Sequence, residues 1–184
     1  PVLQKGKLVG VISEDTILGN DLEEKVDGLP MNFAGKYVNY HDHLFEILKH
    51  MTEHNMSIMP VVKDDMVYFG TITQQEIIKN FAKAESITEQ GNIVVLEVLK
   101  RDYSLAEIAR IVENEGFSII GTLITTSDNP EYIDVALKIN TANITGIIAS
   151  FERYQYTIKA TFEENDYTDK IKDRFDSLMS YLNV

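Results

Sequence analysis

Residues 59–80 read MPVVKDDMVYFGTITQQEIIKN, and residues 1–20 read PVLQKGKLVGVISEDTILGN. Setting Pro1-Val2-Leu3 against Pro60-Val61-Val62 brings Gly10 against Gly70, Ser13 against Thr73 and Asp15 against Gln75. Each copy runs as an apolar strand, a polar turn, a second apolar strand, a hydroxyl residue and a helix. A duplicated hairpin followed by a helix is the smallest unit that satisfies this pattern.

The helix starts are marked in both copies. Thr73 with Glu76 three residues on forms a capping box, in which a hydroxyl and a carboxylate satisfy amides left open by the first turn. Ser13 is placed to cap the earlier helix, with Glu14 and Asp15 in its first turn. Ile77, Ile78 and Phe81 give the second helix an apolar stripe, and each helix is expected to pack on its own hairpin. Upstream of the second copy, KYVNY (36–40) reads as a short strand, and DHLFEILKHMTEH (42–54) places Leu44, Ile47, Leu48 and Met51 at helical spacing. The full unit is therefore strand, helix, strand, strand, helix. The first copy opens at its middle strand, and a fragment or a missing leader is expected.

These residues carry a resemblance. The phrase around Pro60, the Gly-x-x-Thr turn from Gly70 to Thr73 and the helix after it resemble a cystathionine-beta-synthase (CBS) domain over residues 1–84, with 1–29 as a partial first repeat and 30–84 as the second. The resemblance implies a tandem pair with a cleft between copies for an adenosine-containing ligand, an adenine nucleotide or S-adenosylmethionine. In that family an Asp in the first turn of the last helix binds ribose hydroxyls. Asp15 matches it, with Ser13 as the hydroxyl that approaches phosphate. Thr73 and Gln75 are the counterparts in the second copy, where an amide replaces the carboxylate and its charge-assisted hydrogen bond.

AKAESITEQG (82–91) reads as a polar connection, with 85–91 as the linker. Beyond it, NIVVLEVL (92–99) has strand composition, and SLAEIARIVENEG (104–116) opens on a Ser104/Glu107 capping box and stops at Gly116. FSIIGTLITTS and NPEYIDVALKIN follow as strands around an Asp128-Asn129-Pro130 turn, then the helical ANITGIIASFERY and the strand YQYTIKATF. The order βαββαβ predicts two helices on one face of a four-stranded antiparallel sheet, an α+β ferredoxin-like sandwich. About residues 92–162 resemble an ACT domain, a regulatory module that often binds amino acids at dimer interfaces. Its Pro-Gly step before the first helix is Asp102-Tyr103 here, so the Tyr103 ring either obstructs that pocket or stacks on another surface. The last stretch, 167–184, sets Ile171, Phe175, Leu178, Met179 and Leu182 along one side of a helix and completes the domain assigned to 92–184. A CBS pair followed by an ACT-like domain resembles the acetoin-utilisation accessory protein family of bacteria.

Composition bounds the chemistry. The chain has 184 residues and a formal charge of -12, which disfavours nucleic acid as a direct partner. There is no cysteine, which removes disulfides, thiolate nucleophiles and Cys-ligated zinc and fits a cytoplasmic location. No run of eighteen apolar residues exists, so no membrane span is expected. His50 and His54 have a chelating spacing, but Met51 stands where the zincin motif requires Glu, and these side chains read as surface or interface histidines with no metal assigned. Ser13 and Thr73 lack a nucleophile elbow, and no Rossmann or P-loop glycine pattern occurs. The reading that results is a non-catalytic regulatory or sensor protein, a homodimer, with a metabolic enzyme as regulated partner. The alternative is a ligand-free oligomerisation or interaction module docking onto such an enzyme.

Overall fold

The computed structural model describes residues 1–21, 23–31 and 35–163. It is a mixed α+β molecule divided into two compact units, Pro1–Phe81 and Ala82–Val184.

The first unit opens with β1 (Val2–Gln4) and β2 (Lys7–Gly10), an antiparallel hairpin in register at Leu3↔Leu8. Lys5 and Gly6 both have positive φ, 51° and 78°, the geometry whose twist suits a two-residue hairpin. Helix α1 (Glu14–Leu18) follows, with the Thr16 amide donating to the Ser13 hydroxyl at 3.2 Å. Contrary to the expectation from sequence, α1 buries none of its residues, and Ile17 and Leu18 are exposed. A helix of five residues is too short to repeat an apolar position on one face, so it has no stripe to bury.

The second copy is fuller. It runs β3 (Val38–Asn39), α2 (Leu44–Glu53), β4 (Ile58–Val62), β5 (Tyr68–Thr73) and α3 (Gln74–Phe81). The sheet order is β3-β4-β5, with β3 parallel to β4 and β4 antiparallel to β5. Helix α2 starts two residues later than the stretch 42–54 implied, because His43 Nδ1 accepts from the Phe45 amide at 3.2 Å while Asp42 turns back to accept from the Asn39 amide at 2.7 Å. Val38, Ile47, Met51, Met56, Met59 and Ile77 form the core, and Val11 of the first copy packs against it. The two copies also meet at their turns, where the Tyr68 amide donates to the Gly6 carbonyl at 3.0 Å.

In the second unit, the stretch expected as a linker begins with a helical turn, α4 (Glu85–Thr88), closed on the Ala84 carbonyl by the amides of Ile87 and Thr88. The elements that follow are β6 (Asn92–Leu99), α5 (Leu105–Asn114), β7 (Ile119–Thr126), β8 (Tyr132–Ile139), α6 (Thr145–Arg153) and β9 (Thr157–Phe162). Turn α4 lies on β7, so close that a Cβ on Gly121 would stand 2.5 Å from Ser86 Cβ. A polar composition concealed this contact, because glycine on one side and serine on the other leave no apolar signature.

The strand order is β7-β8-β6-β9, and every neighbouring pair is antiparallel. Along β6 fully buried and half-buried residues alternate without a break, as the pleat requires of a central strand. Val94, Leu96 and Val98 join Val135, Leu137 and Ile139 of β8, and on this face pack Ile108, Ile111 and Val112 of α5 with Ile147 and Phe151 of α6. Gly116, at φ 82°, turns the chain out of α5 as its position predicted. The amphipathic stretch 167–184 lies outside the described residues.

Candidate ligand site

The first unit contains a cleft of about 460 Å³ to which both copies contribute. The first copy supplies Val11, Ile12, Ser13, Glu14 and Thr16, the segment that leaves β2 and enters α1. The second supplies Lys36 ahead of β3 and the run His54 to Ile58 between α2 and β4, and Pro30 closes one side. The wall therefore combines three hydroxyls, the Glu14 carboxylate, the Lys36 ammonium, the His54 imidazole, the Asn55 amide and the apolar surfaces of Val11, Ile12, Pro30, Met56 and Ile58. Seven of the twelve lining residues are polar or charged, so the cleft suits a polar ligand with a smaller apolar part.

The local folding of each wall is specific. Ser13 caps α1, and its Oγ lies 2.8 Å from Thr16 Oγ1, so the two hydroxyls are held as a pair. The opposite wall is tied to the start of α3: Ile58 pairs with Thr73, the Gln74 amide donates to the Ser57 carbonyl at 3.1 Å, and Gln74 Nε2 donates to the Met56 carbonyl at 3.3 Å. Thr73 itself is engaged in its capping box. Its amide and hydroxyl donate to Glu76 Oε2 at 2.8 and 2.9 Å, and the Glu76 amide donates back to Thr73 Oγ1 at 3.1 Å. These bonds, the backbone one foremost, hold the Glu76 carboxyl below the usual glutamate range.

Of the residues singled out in the sequence, Ser13 lines this cleft. Asp15 and Gln75 are exposed and are not among its lining residues, nor is Thr73. In the second copy it is Gln74, one position before the residue matched to the family Asp, that reaches the cleft wall. Lys36, Asn55 and Ser57 were passed over in the sequence, and His54, noted there for its spacing to His50, was read as a surface or interface histidine. Their signal was positional: they flank the strand and helix that only the second copy possesses.

Two further clefts bear on the reading. One of about 430 Å³ lies under α1, lined by Val2, Ile12, Ile17, Val26 and Leu29 with Asp21 and Glu24. The other, about 360 Å³, lies in the second unit where β6, the loop before α5 and the start of β9 meet, lined by Glu97, Asp102, Glu107 and three tyrosines, Tyr132, Tyr154 and Tyr156. Burial and the Glu107 carboxylate push the Tyr156 phenol up. Tyr103 is not in that wall; it packs on the core of its unit. The Tyr103 ring is thus absorbed by packing.

Comparison with known proteins adds the following. Residues 35–83 match the family model of the CBS domain. This segment is similar to a CBS domain. The matched segment supplies the Lys36 and His54–Ile58 wall of the cleft. A curated relative, an uncharacterised protein of Methanocaldococcus jannaschii, is 26% identical over 95 residues, 51% of this chain and 36% of the relative. The match thus spans about a third of that protein's length. The crystal structure of a CBS domain pair/ACT domain protein from Thermotoga maritima is similar at a TM-score of 0.40 and 22% identity, over 44% of this chain and 66% of that one. No helix among the described residues is long and apolar enough to cross a membrane.

Proposed function

We propose that this protein is a non-catalytic cytoplasmic sensor whose CBS region binds an adenine nucleotide, or S-adenosylmethionine, and whose second unit is an ACT-type sandwich that passes the change on through a homodimer to a metabolic enzyme. One observation carries the reading: a single cleft has one wall from each copy of the repeat, with paired hydroxyls from the first and a lysine from the second. Lys36 is suited to a phosphate or carboxylate, the Ser13 and Thr16 hydroxyls to ribose or phosphate oxygens, and the Val11, Ile12 and Ile58 surfaces to a base. A ligand held by both walls favours one spacing of the copies over another, and that difference in affinity is what a sensor transmits.

The βαββαβ order, the strand order β7-β8-β6-β9 and the placement of both helices on one face support the ACT-type reading of the second unit. Its edge strand β7 exposes Leu123 and Ile124, an apolar edge that a second copy would cover.

The exposure of Asp15 favours a second reading, an interaction module that has given up its ligand. Thermal-shift measurements with ATP, ADP, AMP and S-adenosylmethionine on the full chain and on Asp15→Ala separate the two. A midpoint that rises with ligand in both proteins supports a cleft organised around Ser13 and Lys36. No shift with any ligand at millimolar concentration supports the interaction module.

A further inference from the structure

On α2 and its C-terminal cap, His50, Glu53 and His54 occupy positions i, i+3 and i+4, which share one side of a helix. Each offers one ligand atom, and the three atoms all lie within 4.8 Å of one another. The two imidazoles are already face to face, with centroids 6.1 Å apart and planes inclined by 14°. Three surroundings distinguish this group from histidines that are neighbours by spacing alone. His50 Nδ1 is closed off from solvent and has no hydrogen-bond partner among the described residues. The His54 ring rests on Gly35, where a Cβ would stand 2.8 Å from Nε2, so its orientation is set by a close backbone approach. Glu53 is exposed and pairs with Lys49 at 3.8 Å across an exposed surface, a weak contact from which it is easily recruited elsewhere.

We propose that His50, Glu53 and His54 form a binding site for a borderline transition-metal dication such as Zn²⁺ or Co²⁺, with the remaining position open to water. Two neutral imidazoles and one carboxylate are the donor set such ions select, whereas Mg²⁺ and Ca²⁺ select oxygen alone. With bonds of about 2.1 Å, ligand atoms on a tetrahedral ion stand roughly 3.4 Å apart, so a site spread over 4.8 Å closes by side-chain rotation without moving the helix. The unpartnered ring nitrogen of His50 marks a side chain whose polar demand the fold leaves unmet, and coordination or a metal-ordered water meets it. The zincin motif places Glu directly after the first histidine; here Glu53 directly precedes the second, which leaves both rings and the carboxylate on one side. Because His54 also lines the cleft, the ion would sit at the cleft's margin, but the proposal is independent of whether a nucleotide binds there.

The test uses untagged full chain stripped of metal, titrated with Co²⁺ alone and followed by visible absorption and by paramagnetic broadening of the four histidine ring resonances. One saturable equivalent is expected, displaced by Zn²⁺, with the rings of His50 and His54 broadened before those of His41 and His43. His50→Gln and His54→Gln should each weaken the affinity about 10-fold or more, and His41→Gln should not. Absence of saturable binding at millimolar Co²⁺, or broadening that begins at His41 or His43, overturns the proposal. The ring resonances are read on the wild-type chain, so the result stands even where a variant fails to fold.

Discussion

At the residue scale, the Thr73–Glu76 pair sets where α3 begins and, through Gln74, where one wall of the cleft stands. Thr73→Ala removes the hydroxyl that accepts from the Glu76 amide and is expected to cost about 1 kcal/mol in urea unfolding. The pH dependence has a definite sign. The Glu76 carboxyl is held below its ordinary value, first by the Thr73 amide and then by its hydroxyl. Its contribution is therefore fully present above the ordinary glutamate pKa of about 4.3 and is lost as pH falls through the lower folded value. Glu76→Gln should be less stable than the wild type at neutral pH and approach it in acid, and parallel stability curves over that range would contradict the assignment. Such a capping box could be read from four letters, since a local bond needs only local spacing. Ser13 was legible for the same reason. The ribose role that the resemblance implies for Asp15 depends on where a short helix points, which spacing cannot determine; Lys36 and Ser57 reach the cleft wall through the strand and helix they flank, so position was their whole signal.

Elements differ in how much of their formation is local. Helix α5 carries its own cap, its apolar stripe and its Gly116 stop, and all three are realised as the sequence implied. Helix α6 opens with the Thr145 amide donating to Asn143 Oδ1 at 2.9 Å and is held further by burial: Phe151 is fully buried and meets Tyr156 edge-on at 5.7 Å. Phe151→Ala should cost about 3–5 kcal/mol and Phe151→Leu considerably less, measured by denaturant midpoint at unchanged slope. Turn α4 is the opposite case, a polar segment fixed only by its fit to β7. Gly121→Ala puts a methyl where Ser86 stands and should displace the turn, which hydrogen exchange would register as lost protection at Ile87 and Thr88 with the sheet unchanged. Unaltered exchange there would mean that the contact does not hold the turn. The packing expected of α1 by analogy with α3 does not occur, because its five residues carry no apolar stripe.

For the whole molecule, the duplicated unit and the βαββαβ unit were legible because each has a periodic pattern repeated over many residues, and such patterns outweigh any one position. What the pattern does not carry is assembly. A chain of 20.9 kDa with an exposed edge strand is expected to sediment at twice its mass, and Leu123→Lys with Ile124→Lys together should return it to one. A wild-type monomer would remove the route by which the proposed signal leaves the second unit. The account rests above all on the cleft shared by the two copies. Calorimetric titration of the full chain with ATP, AMP and S-adenosylmethionine, beside the Lys36→Ala variant, tests it most directly. The account predicts saturable binding of at least one of them and an affinity loss of about 10-fold in the variant, the equivalent of about 1.4 kcal/mol; the absence of heat with every ligand at millimolar concentration, or equal binding by the variant, would contradict it.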